Sequence, residues 1–289
     1  MKKTKVRKRY HKKKKTTKKR NNNRELIQSF KSINTFLSDN KHKGENESYI
    51  KYYQSYSNGE NVFTYFYVLK KTNSDITENL CLPDNKLYYD YKNHLFTDKQ
   101  IDKVYSIFHL TVFFIYDIKK IVAPKNYKKS ILNCKERFVL TSCNIQWGIR
   151  EWSGAHQTIL LYDNKNNTVE LFDPEYTYLD DIEYDNTIKT FINKNFKNKY
   201  KYLGTKYTSH PIKKYGPQIS VDAFSGLCTA WSIMYVQLRL LNPDKPPSFV
   251  VNKMMEGTQN KRKEKLLKFT KNIKSTIKDN VDIISVEII

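Results

Sequence analysis

Between Arg137 and Asp173 apolar and polar positions alternate with a period of two. The segments Arg137–Ile145 (RFVLTSCNI), His156–Asp163 (HQTILLYD) and Thr168–Asp173 (TVELFD) each read as a strand rich in β-branched residues. The last two are joined by Asn164-Lys165-Asn166-Asn167, and that composition and length predict a hairpin. Tyr200–Tyr207 offers one more strand. Downstream, Gly226-Leu227-Cys228 opens the run CTAWSIMYVQLRLL, which is apolar on nearly every side until Asn242-Pro243 and predicts a central buried helix. Asn252–Asp279 is charged and amphipathic and reads as one further helix. The pattern is poorer upstream. Leu26–Leu37 has helical spacing, Tyr49–Leu69 alternates like strands around Asn58-Gly59, and Asp102–Lys119 reads as a buried segment of either type. The fold class expected is α+β, with a central mixed sheet packed on the buried helix that carries Cys228.

Charge divides the chain differently. The 289 residues carry 52 Lys plus Arg against 29 Asp plus Glu, a formal net charge of +23. Residues 1–24 hold 14 of those cations and no acid, which leaves 38 against 29, or +9, for the rest. Such a dense run of like charge repels itself and stays solvated. Lys2–Arg24 is therefore expected to be a disordered basic tail, fit to serve as a nuclear address or to bind DNA or RNA phosphates without sequence specificity. Beyond it, residues 25–120 carry no legible chemistry, and residues 121–289 form the expected core with its C-terminal helical segment. A hydrophobic fraction of 39% with 14% aromatics suffices for a packed core and excludes wholesale disorder.

The start, MKKTKVRKRYHKKKKTTKKR, has no apolar stretch and does not resemble a secretory signal. Val104–Tyr116 and Leu227–Leu241 are too short to span a bilayer, so no membrane partner is expected. Four cysteines, Cys81, Cys134, Cys143 and Cys228, show no CxxC spacing. This argues against both a disulfide scaffold and a four-ligand zinc site, and predicts free thiols in a reducing, intracellular compartment. No metal or organic cofactor is implied.

Period-two alternation places His156, Thr158, Leu160 and Tyr162 on one face of their strand. A two- or four-residue turn sets Asp173 opposite Thr158 and diagonal to His156, while Glu170 falls opposite Leu161 and points to the other face. A three- or five-residue loop would slip the register by one and reverse the choice of carboxylate. Asp173 is thus the acid expected to orient His156. Cys228 is the matching nucleophile: it follows the small Ser225-Gly226 step at the first turn of a long helix, where the partial positive charge favours thiolate. Acyl chemistry also needs donors for a developing oxyanion, which a backbone N–H near Cys228 and the Gln218 side-chain amide supply. Each residue alone has a simpler reading, as a buried thiol, a structural histidine, a turn aspartate or a polar loop residue. The conjunction in the order His, Asp, Gln, Cys carries the argument.

That order resembles the cysteine-protease superfamily of adenovirus endopeptidase and the SUMO (ubiquitin-like-protein) proteases, over about residues 130–250. His156 opens the hairpin, Asp173 follows 17 residues later and Cys228 a further 55. The run GLCTAWSIMYVQLRLLNPD is closer still to uncharacterised protease-like proteins of large DNA viruses. The resemblance implies a thiol endopeptidase or ubiquitin-like isopeptidase acting on viral or host protein, located in the host cytoplasm, the nucleus or the virion. His156, Asp173, Gln218 and Cys228 would be its catalytic residues, and nucleic acid a guide or activator. The chain departs from the pattern in three places. Gln218 precedes Cys228 by 10 residues, a longer interval than in the family; Gln157 stands where SUMO proteases place Trp; and Leu227 and Thr229 flank the cysteine. Two other readings stay open: a YopJ-type acetyltransferase on the same fold, and a basic nucleic-acid-associated structural protein with an inactive protease-like core.

Overall fold

The structure is a computed structural model that describes residues 60–83, 110–124, 127–147, 154–176, 182–212, 215–221 and 227–280. The basic tail and the helix expected at Leu26–Leu37 lie outside the described residues. So do residues 222–226, shortly before Cys228, and residues 148–153, between the first and second long strands.

The architecture is α+β. A mixed seven-stranded sheet is built around β4 (Phe138–Trp147), β5 (Gly154–Asp163) and β6 (Thr168–Phe172), an antiparallel meander whose ends fall within two residues of those that alternation suggests. On the far side of β4 two strands run parallel to it, one after the other: β1 (Leu80–Cys81) beside Phe138–Val139 and β2 (Thr111–Ile115) beside Ser142–Gln146. β3 (Lys120–Val122) closes that edge antiparallel to β2, and β7 (Lys201–Leu203) closes the other, parallel to β6. Thus residues 80–81 and 111–115, from the stretch whose role the sequence leaves open, belong to the same sheet.

The β5–β6 turn spans four residues, and its chemistry is visible. The buried Asp163 carboxylate accepts the backbone N–H groups of Lys165 (3.0 Å) and Asn166 (3.1 Å) and the Asn166 side-chain amide. Asn167 takes the left-handed conformation at φ 49° that asparagine tolerates. This turn fixes the register Ile159↔Phe172 and Leu161↔Glu170.

The sheet is covered on both faces. On the His156 face, Leu160, Tyr162, Val169 and Leu171 pack with Tyr127 and Ile131 of α3 (Tyr127–Asn133) and with Tyr184, Ile188 and Ile192 of α4 (Ile182–Phe196). The opposite face receives α6 (Cys228–Leu241). There the Phe172 and Tyr235 rings stack with centroids 4.1 Å apart. Glu170 accepts from Arg239 Nε (2.9 Å), Arg239 Nη2 (2.7 Å) and Tyr235 Oη (2.6 Å). Outside α6 lie α1 (Glu60–Thr72) and α8 (Gln259–Lys278), with Tyr65 of α1 bonded to Gln237 and edge-on to Phe269.

Several expectations are corrected. The alternating stretch ending at Leu69 is not a strand where it is described: Glu60–Thr72 is the helix α1, followed by the short α2 (Ser74–Thr77). Its run NVFTYFYVL has strand propensity, but Val62, Phe63, Tyr65, Phe66 and Val68 are all buried, and packing on nearly every side overrides the local preference. Tyr200–Tyr207 yields only the three residues of β7 before a helical turn, α5 (Thr205–Thr208). The helix expected over Asn252–Asp279 is two helices, α7 (Pro247–Met254) and α8, separated where Gly257 adopts φ 95°. The segment Asp102–Lys119 resolves, where described, into the buried strand β2 and a 3₁₀ turn at Tyr116–Ile118.

The cysteines also depart from expectation. Cys81 and Cys134 form a disulfide across 53 residues, tying β1 to the end of α3, while Cys143 and Cys228 are free. The argument for a reducing compartment rested on unpaired cysteines and loses that support. Among the described residues no helix is long and apolar enough to cross a membrane.

Candidate active site

β6 ends opposite Ile159, two positions short of Gln157, so the start of β5 projects past its neighbour. The chain leaving β6 turns there. Asp173-Pro174-Glu175-Tyr176 is closed by Tyr176 N–H donating to Asp173 O (3.4 Å), with proline at the second position that such a turn favours. The Asp173 carboxylate meanwhile accepts Glu175 N–H at 2.9 Å, a local side-chain turn that fixes its direction. So held, Asp173 Oδ1 lies 2.6 Å from His156 Nε2, with both side chains buried. The diagonal relation read from alternation is the one observed, and Glu170 faces the other way, toward Arg239.

Cys228 is the first residue of α6, and Leu227 before it contributes no side-chain cap. Among the described residues no side chain caps that first turn, and its N–H groups lie at the end of the helix that carries the sulfur. The thiol lies near enough to the His156 ring to act on its charge state. Burial opposes a charged imidazole, but the charge and hydrogen bond of Asp173, with a smaller contribution from Cys228, outweigh it and hold the His156 pKa well above its usual value. Cys143 shows the contrast. It is fully buried on β4, and burial pushes its thiol up to about 12, the state of an inert core cysteine.

Gln218 comes to the site on a turn strapped to the Asp173 turn. Gly216 N–H donates to Tyr176 O and Gln218 N–H to Pro174 O, each at 2.8 Å. The approach is so close that a Cβ on residue 216 would lie 2.3 Å from Pro174 O, which is why a glycine stands there. The Gln218 amide donates to Glu175 Oε1, and Glu175 Oε2 lies 3.4 Å from His156 Nδ1. All four residues singled out from sequence thus converge, with Gln218 reaching the histidine through a fifth.

Glu175 is that fifth residue, and sequence reasoning passed over it.

Comparison with protein-family models, curated proteins and solved structures finds no match to this chain in any of the three. The functional case therefore rests on geometry and chemistry alone.

Among the described residues, one group could hold a metal ion by proximity: Cys81, Cys134 and Glu136. The first two are joined as a disulfide, so their sulfurs lack the thiolate character that metal ligation requires.

Proposed function

We propose that this chain is a cysteine peptidase whose core resembles that of adenovirus endopeptidase and the SUMO proteases. The observation that carries the proposal is the buried grouping of Asp173, His156 and Cys228, with Asp173 bonded to the ring and Cys228 at the first residue of a long helix. Asp173 occupies Nε2 of the ring, which leaves Nδ1 to exchange a proton with the sulfur. The Cys228 thiolate attacks the scissile carbonyl carbon. N–H donors at the start of α6, joined by the Gln218 amide once it is released from Glu175, receive the oxyanion. As the C–N bond breaks, His156 returns the proton to the leaving amine, and water then hydrolyses the thioester through the same base. The basic tail Lys2–Arg24 is proposed as a contact for DNA or RNA.

The test is cleavage of a diverse synthetic peptide library read by mass spectrometry. Wild-type protein should cut a subset of peptides, and Cys228→Ala and His156→Ala should each cut none. Equal cleavage by wild type and Cys228→Ala would overturn the proposal.

One observation favours a second reading, a structural protein with an inactive core: Cys228 is only 3% exposed. That reading requires a thiol no more reactive than Cys143.

A further inference from the structure

One carboxylate holds two parts of the proposed machinery at once. Glu175 Oε2 sits 3.4 Å from His156 Nδ1, the ring nitrogen not engaged by Asp173, while Glu175 Oε1 accepts the Gln218 amide. In this arrangement the nitrogen that must exchange a proton with Cys228 and the amide that must face an oxyanion are both occupied by the same side chain. Glu175 is also the accessible member of the group. Its side chain is 38% exposed, whereas His156 is 5% exposed and Cys228 3%. It is therefore the member of the group that solvent and a substrate reach most readily.

We propose that Glu175 is an autoinhibitory latch, and that the structure shows the site in its closed form. This rests on the cysteine-peptidase reading and adds to it the regulation of the same site. Three physical effects work together in the closed form. A carboxylate next to the imidazole competes with the sulfur for Nδ1. Its negative charge opposes formation of a thiolate beside it. Its bridge to Gln218 keeps the backbone of residues 215–218 folded over the Asp173 turn, where the Gln218 and Gly216 N–H groups are already bonded to Pro174 and Tyr176. Opening needs only that Glu175 swing outward, because its own N–H stays fixed on Asp173 and the His156–Asp173 contact is undisturbed. A substrate group able to draw the carboxylate away, an N–H donor or a cationic side chain, would release base and oxyanion donor in one movement.

The test is the second-order rate of Cys228 alkylation by iodoacetamide at pH 7, without substrate, in wild type, Glu175→Gln, Glu175→Ala, Gln218→Ala and the double Ala variant. Alkylation at sulfur needs no oxyanion donor, so Gln218 enters this measurement only through the latch. Freeing Nδ1 and removing the neighbouring negative charge should make the reaction several-fold faster in Glu175→Ala. Gln218→Ala should accelerate too, and the double variant should be no faster than Glu175→Ala, since both changes open one latch. Labelling of Cys143 in the same samples reports loss of the fold. Should Glu175→Ala expose it, the isosteric Glu175→Gln decides by the same readout.

An unchanged or slower Cys228 rate in a folded Glu175 variant overturns the latch. A His156→Ala control separates the two claims. If it leaves the wild-type rate unaltered, the peptidase reading itself has failed. If it slows alkylation while the Glu175 variants do nothing, only the latch is lost.

Discussion

Asp173 Oδ1 stands 2.6 Å from His156 Nε2 in a region closed to solvent, and the polarity of the whole site follows from that contact. Burial alone would drive the imidazole toward its neutral form, but Asp173 reverses the balance and raises its pKa. A group whose folded pKa lies above its unfolded one, about 6.5 for histidine, stabilises the fold fully below that value and loses the contribution as pH rises through the folded pKa. The difference in urea-unfolding free energy between wild type and His156→Gln should therefore be greatest below about pH 6.5 and narrow as pH rises above it. In Asp173→Asn the charge is gone while the shape remains, and the His156 midpoint followed by NMR should fall relative to wild type. A midpoint that stays in place would assign the raised pKa to another group.

This contact was legible in the sequence because two local features agree. Alternation sets the faces of β5, and the four-residue Asn164–Asn167 turn sets the register, so the sequence itself favours Asp173 over Glu170. The Cys228 helix was legible for a similar reason, an apolar run with clear stop signals at Asn242-Pro243. Elements decided by distant packing were not. The aromatic run of α1 satisfies strand propensity locally and becomes a helix because α6 and α8 supply its burial. The pairing of Cys81 with Cys134 depends on β1 lying alongside the start of β4, which no spacing reveals. Glu175 entered the site because the loop around Gly216 folds back on the Asp173 turn, a tertiary event.

The Glu170–Arg239 pair should be the most sensitive polar contact in the core. Both side chains are almost fully buried, 1% and 2% exposed, and Arg239 also donates to the carbonyls of Asn242 (3.1 Å) and Lys245 (2.7 Å). Glu170→Ala strands a buried guanidinium and should cost about 3–5 kcal/mol in urea unfolding. Replacing both partners, Glu170→Leu with Arg239→Met, should recover most of that loss. Equal destabilisation by the single and double changes would show that the hydrogen bonds to Asn242 and Lys245, rather than the ion pair, hold the helix end.

The Cys81–Cys134 disulfide closes a long loop, with 53 residues separating its ends. Limiting the unfolded chain over that length is worth about 4 kcal/mol in the chain-entropy account. A Cys81→Ser, Cys134→Ser variant should unfold at correspondingly lower urea, and a thiol reductant should lower the stability of wild type but not of the variant. Peptide mapping under non-reducing conditions should recover the linked pair. Two free thiols in the native protein would contradict the structure at this point.

The central claim is that Cys228 and His156 form a reactive pair, and the most direct measurement is the pH dependence of iodoacetamide alkylation at Cys228, read by peptide mass spectrometry in wild type and His156→Ala. An ordinary thiol titrates near about 8.5, whereas a histidine-paired nucleophile reacts well below pH 7. The account predicts that Cys228 is labelled at pH 6 faster than Cys143, more clearly still once Glu175→Gln opens the site, and that this labelling is lost when His156→Ala is introduced. Labelling of Cys228 that is no faster than that of Cys143, or that is indifferent to His156, would contradict it and leave the core as scaffold.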